Sequence, residues 1–272
     1  MHLPDSTHFR AAPLYFWDKL MYTDRVKFCR DSKSFLGGIV MYRWLLDAVH
    51  SEYEEVKLLK ESGRGSVRLI RHRATGQRVI LRRFRGDGTV YRRLLPYTCR
   101  NLPKILEAVE EDGEVLVLEE FIQGDTLDFL LKGGLFTPGE TRKVVLQLCR
   151  ALEVLHSMDA VHRDVKPENI ILRGKDVVLI DFDTARLYKP EHGSDTQVLG
   201  TTGFAAPEQY GLSQSDIRAD IYSLGVLINV MLTGRHPSVQ LAGGHLGRVV
   251  ERCTRVNPEK RYSSVLRLME AI

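Results

Sequence analysis

Hydrophobic periodicity changes once along this chain, and that change decides the fold class. Up to residue 121 the apolar residues fall in short runs: 53–60 (YEEVKLLK), 66–72 (SVRLIRH), 77–84 (QRVILRRF) and 114–121 (EVLVLEEF). Their length and content of Val, Ile, Leu and Phe fit strands. Ala74-Thr75-Gly76 and Glu111-Asp112-Gly113 supply turns. Beyond that point the period lengthens. Thr137-Pro138-Gly139-Glu140 reads as an N-cap, an N1 proline and a capping-box acid, and Val144, Leu148, Leu152 and Leu155 then recur at helical spacing. A strand returns at 176–182 (DVVLIDF), followed by an apolar helix over 216–234 that Gly234 closes, and by an amphipathic one at the C-terminal end. Strands first and helices after predict an α+β chain in two lobes.

The bulk properties narrow the class. The 272 residues carry a net charge of +4, too mild for a dedicated nucleic-acid binder, so no nucleic-acid partner is expected. The charge is unevenly placed: residues 64–93 hold ten arginines against one acid, Asp87. These either coat the solvent face of a small sheet or meet phosphates, an acidic partner or an anionic surface. Cys29, Cys99, Cys149 and Cys253 are scattered without a CxxC pair, which predicts a reducing, cytoplasmic setting rather than disulfides or zinc. The first residues lack the apolar core of a signal peptide. The one long apolar run, 35–49 (FLGGIVMYRWLLDAV), is interrupted by Arg43 and Asp47 and is too short to span a bilayer. A helix packed on the main domain is expected there, with an interfacial membrane anchor as the lesser alternative.

Three motifs carry chemistry: HRDVKPEN at 162–169, DFD at 181–183 and APE at 206–208. In this order and spacing they resemble the eukaryotic-type Ser/Thr protein kinase family, over a stretch from about residue 52 to the C-terminal end. The resemblance implies a two-lobed fold with a small β-rich lobe (about 51–121) and a larger helical lobe (about 122–272); the apolar pattern of residues 1–50 predicts a helical extension ahead of it. It also implies a reaction, transfer of the γ-phosphoryl group of ATP to Ser or Thr hydroxyls with Mg2+ or Mn2+. By the same resemblance Asp164 orients and deprotonates the acceptor hydroxyl, Lys166 sits beside the transferred phosphate, and Asn169 and Asp181 hold the metal. The resemblance also implies that Gly65, Val67, Ile80, Arg82, Glu120, Ile122 and Ile171 form the nucleotide-binding set, with Glu119 as gatekeeper. Asp125 would reach a ribose hydroxyl or cap a helix. Arg163 would receive a phosphorylated activation segment, whose candidate sites are Ser194, Thr196, Thr201 and Thr202. Glu208 would pair with Arg261, and Asp220 would hold the catalytic loop from below.

The nucleotide clamp departs from the family pattern. In the glycine loop, KESGRGSV (60–67), Lys60 and Ser62 stand at two glycine positions. The third strand carries Arg82 where the family has Lys, and Ile80 where it has Ala. No Glu occurs between Glu61 and Glu107, so the usual ion pair with the first-lobe helix has no acid, and Pro96 shortens that helix. Asp183 replaces the Gly of DFG, where it would tolerate an unusual backbone angle and add a metal-facing carboxylate. Alternation places Arg82 toward the cleft and Arg83 away from it, with Lys60 as the lysine nearest to standing in. Two functions follow: a Ser/Thr kinase with an altered clamp, or a pseudokinase acting as a scaffold. Only 38 residues follow Gly234, which shortens the region that docks substrates in this family and leaves the protein substrate unread.

Overall fold

The computed structural model describes residues 37–188, 203–210 and 215–272. The candidate phosphosites Ser194, Thr196, Thr201 and Thr202, and the first 36 residues of the extension, lie outside the described residues. Helix α1 (Gly37–Glu52) runs directly into β1 (Tyr53–Ser62), which is followed by β2 (Gly65–His72), β3 (Arg78–Arg85), a short α2 (Thr89–Leu94), β4 (Ile105–Glu111) and β5 (Glu114–Glu120). The five strands form one antiparallel sheet in the order β1-β2-β3-β5-β4. At the β2–β3 turn Gly76 adopts φ 71°, which favours glycine there. β4 was not anticipated. A register shift between Ile105 and Glu107 breaks the two-residue alternation by which a strand is recognised, and it brings Glu107 into the interior.

The sheet is covered on both faces, which fixes its orientation. On one face Tyr42, Leu45 and Val49 of α1 pack against Ile70, Val79, Leu81, Leu116 and Leu118. Burial of each such side chain contributes on the order of 2 kcal/mol. The Tyr42 hydroxyl also donates to Glu114 at 3.1 Å. The face bearing Val67, Leu69 and Ile80, with Phe121 against them, is the one that borders the main cavity.

The second lobe follows through β6 (Asp125–Thr126), α3 (Leu127–Gly133), α4 (Pro138–His156), β7 (Ala160–Val161), β8 (Ile170–Arg173), β9 (Asp176–Leu179), β10 (Arg186–Leu187), α5 (Arg218–Thr233), α6 (Gly244–Cys253) and α7 (Val265–Ala271). The capping box of α4 is formed: Thr137 Oγ1 accepts from the Glu140 amide, and Glu140 accepts from the Thr137 amide at 2.9 Å. Val144, Leu148, Leu152 and Leu155 are buried with Ile221, Leu224 and Leu227 of α5 in the largest core. Gly234 ends α5 in the left-handed region, φ 68°. Asp125 is not a helix cap. Thr126 takes that position on α3, its hydroxyl accepting from the Phe129 amide at 3.2 Å. No described helix is long and apolar enough to cross a membrane.

Candidate active site

The loop 162–169 is held by groups buried beneath it. From α5, Asp220 accepts the His162 amide at 2.9 Å and the Arg163 amide at 2.8 Å, while His156 of α4 lies 2.9 Å from the same carboxylate. Burial works to raise the pKa of Asp220, but these donors, His156 foremost, outweigh it and hold the group below the usual carboxylate range. Arg163 adopts φ 69°, and its carbonyl accepts from the buried Gln209 at 2.9 Å. A non-glycine residue keeps such a conformation only where its surroundings dictate it. The consequence appears at the next residue. Asp164 Oδ2 meets Lys166 Nζ at 2.8 Å and Asn169 Nδ2 at 3.0 Å, which presents one oriented carboxylate to the cleft.

Asp181 faces this loop from the segment after β9, at φ 71°. Arg82 Nη1 lies 3.2 Å from its Oδ1 and Lys60 Nζ lies 3.3 Å from its Oδ2. Burial opposes the charge on Asp181, yet Arg82 and Lys60 prevail and lower its pKa to about 2. Arg82 points into the cleft and Arg83 away, where it pairs with Glu114 at 2.6 Å. The acid that the first-lobe helix lacks comes from the sheet: Arg82 Nε lies 2.6 Å from Glu119 Oε1, both side chains being about 95% or more shielded. Register explains the meeting. Arg82 pairs with Val117 and Ile80 with Glu119, so Arg82 and Glu119 are diagonal neighbours on one face. Burial pushes the Glu119 carboxyl up, against the Arg82 charge.

Asp183 is placed differently from expectation. The left-handed residue is Asp181, so position 183 needs no special backbone angle. Its carboxylate is engaged by protein: Oδ1 accepts from the Tyr91 hydroxyl at 2.7 Å and Oδ2 lies 3.6 Å from Arg82 Nη1. Glu119 and Tyr91 are the site residues whose roles sequence reasoning missed. Glu119 carried a signal, an acid directly after the apolar run 115–118, while Tyr91 carried none.

A cavity of about 500 Å³ lies between the lobes. Val67, Ile80, Phe121, Ile122 and Ile171 give it an apolar slot, and Arg82, Lys166, Asn169 and Asp181 line its polar end. Glu119 and Glu120 border it as well. A smaller cavity, about 280 Å³, adjoins it under the β1–β2 turn and brings Lys60, Gly65 and Val67 to Asp164 and Asp181. Gly65 is required there by the sheet itself, since a Cβ would come within 2.1 Å of the Arg83 carbonyl. A flat heterocycle and a polyphosphate fit an apolar slot that ends in cationic groups. Asp181 and the Asn169 amide offer the hard oxygen donors that magnesium takes. Farther off, Arg261 holds Glu208 through two bonds, 2.6 and 2.8 Å.

A family model described as protein kinase domain matches residues 53–257. Serine/threonine-protein kinase PknB of Mycobacterium tuberculosis is 30% identical over 256 residues, 78% of this chain and 41% of that protein. Serine/threonine-protein kinase D of Synechocystis is 31% identical over 222 residues, 73% of this chain and 43% of that protein. Serine/threonine-protein kinase pkn2 of Myxococcus xanthus is 35% identical over 142 residues, 49% of this chain and 17% of that protein. The chain spans less than half the length of each of these relatives.

Proposed function

The chain belongs to the protein kinase family, and from that membership we propose that it transfers the γ-phosphoryl group of ATP to Ser or Thr hydroxyls of proteins. The observation that carries this reading is the Asp164 carboxylate, oriented by Lys166 and Asn169 on the wall of the smaller cavity that adjoins the apolar slot. In that arrangement Asp164 accepts a hydrogen bond from the acceptor hydroxyl, aligns its oxygen for attack and takes its proton as the new P–O bond forms and the bond from the γ-phosphorus to the bridging oxygen breaks, releasing ADP. Lys166 balances the carboxylate and lies where charge develops on the transferred group. The adenine is sandwiched by Val67, Ile80 and Ile171, with the backbone of Glu120 and Ile122 at its edge. Asn169 and Asp181 would hold magnesium or manganese, which supplies positive charge to the phosphate oxygens. Arg82, fixed by Glu119, adds a charge that does not depend on a moving helix.

A second reading rests on one observation: Asp181 is already neutralised by both Arg82 and Lys60, as suits a pseudokinase that scaffolds without a metal. Thermal shift with ATP, with and without magnesium, separates the two, followed by transfer of labelled phosphate. Magnesium-dependent stabilisation together with transfer to the chain itself or to a generic Ser/Thr acceptor supports the kinase. A melting temperature indifferent to ATP and magnesium, with no transfer, rejects it.

A further inference from the structure

We propose that Tyr91 is a positioning residue: its hydroxyl clips the Asp181-Phe182-Asp183 segment into the geometry that presents Asp181 to metal. The inference rests on the kinase reading above.

The phenol of Tyr91 is fully shielded, on the six-residue helix α2. Its ring packs between Phe84, at 5.8 Å between centroids, and Phe182, at 5.6 Å and edge-on. That contact would satisfy an apolar residue, so the hydroxyl needs a separate reason. It donates to Asp183 Oδ1 at 2.7 Å and accepts the Phe182 amide at 3.1 Å. A hydroxyl has one proton to give and lone pairs to receive, and both functions are used on consecutive residues of one motif. Burial and the surrounding carboxylates keep the phenol protonated, so it stays a donor.

The chain of contacts reaches the metal-facing group. The Asp183 amide points at Asp181 Oδ1, 3.4 Å away, and Arg82 Nη1 lies between the two carboxylates. Fixing Phe182 and Asp183 therefore fixes the backbone on which Asp181 holds its φ of 71°. A glycine at 183 would offer no side chain for Tyr91 to grip. The tyrosine on the helix and the aspartate that stands for glycine in the motif thus act as one device.

The test uses the full chain and Tyr91→Phe, which keeps the ring contacts and removes only the hydroxyl. Binding of ADP is titrated with magnesium, and phosphotransfer is measured alongside. Loss of a buried hydroxyl that serves two partners predicts roughly a tenfold higher magnesium requirement and a kcat lower by about the same factor. ADP binding without metal and KM for ATP at saturating magnesium should change little. In an Asp183→Gly background the same substitution should raise the magnesium requirement by less than about twofold, because its main partner is gone. Equal effects in both backgrounds, or no effect in either, overturn the proposal. If Tyr91→Phe does not fold, Asp183→Asn against Asp183→Gly decides: the amide oxygen still accepts from the phenol, so the Asn variant should need less magnesium, and an equal need overturns the proposal. Failure of this proposal leaves the wild-type response to magnesium intact. A wild type that binds no nucleotide with magnesium removes the kinase reading, and this inference with it.

Discussion

Arg82 and Glu119 meet at 2.6 Å across two neighbouring strands, and both side chains are about 95% or more shielded from solvent. The central charge of the clamp is thereby tied to the sheet rather than to a helix. A buried pair is weak evidence of net stabilisation, because desolvating two charges costs about what their attraction returns. Breaking it is another matter. Glu119→Ala leaves the Arg82 charge short of its nearest acid and should destabilise the chain by about 3 kcal/mol, read from chemical denaturation. Replacing both partners, Arg82→Met with Glu119→Leu, should recover most of that loss while phosphotransfer stays lowered by the missing Arg82 charge. A double variant as unstable as the single one contradicts this account.

The two cations on Asp181 are unequal. Arg82 is held within the protein, whereas the Lys60 side chain is 60% exposed. Arg82→Ala should lower the rate by about 10²–10³, the scale of one preorganised donor. Lys60→Ala should cost only a few-fold, since an exposed charge is screened by water. A larger loss from Lys60→Ala would show that the phosphate-gripping charge has moved to the glycine loop.

Helix α1 covers an apolar face of the sheet, so removing residues 1–50 should lower the melting temperature. Leu45 on that helix is 1% exposed, and Leu45→Ala alone should cost about 2–4 kcal/mol. An unchanged melting curve for the truncated chain, or a full chain that needs detergent to stay soluble, would favour the membrane-anchor alternative.

Acid should unfold the protein through the floor of the catalytic loop. Burial lowers the pKa of His162, so the folded state resists taking a proton that the unfolded chain accepts near pH 6.5. Stability is therefore full above that pH and falls as the pH drops below it. Asp220, also lowered, adds a second loss when the pH falls through the ordinary carboxylate range and below. Melting temperatures between pH 8 and 4 check the sign, and His162→Asn should flatten the first part of the fall. A curve level down to pH 5 contradicts it.

Local patterns made the catalytic loop and most of the architecture legible in the sequence. HRDVKPEN is contiguous, and the residues it needs for shape are near it in the chain or in the apolar helix that follows. The capping box at Thr137 and the closing Gly234 are likewise local. The clamp was not legible, because its partners meet only after β3 and β5 pair. A one-residue change of register would turn Arg82 and Glu119 to different faces. The role of Tyr91 depends on a short helix that no periodicity announces. β4 escaped notice because its bulge erases the alternation. The altered positions Arg82, Asp183 and Lys60 looked like separate losses, and the structure joins them around Asp181.

Phosphotransfer by the wild-type chain set against Asp164→Asn tests the central claim most directly. The substitution keeps the shape of the side chain and an oxygen for hydrogen bonding but removes the base. With labelled ATP and magnesium, the wild type should modify itself or a generic Ser/Thr acceptor. Asp164→Asn should lose that transfer while its melting curve and nucleotide binding remain nearly unchanged. Transfer that persists in Asp164→Asn, or its absence from the wild type in both magnesium and manganese, would contradict the account.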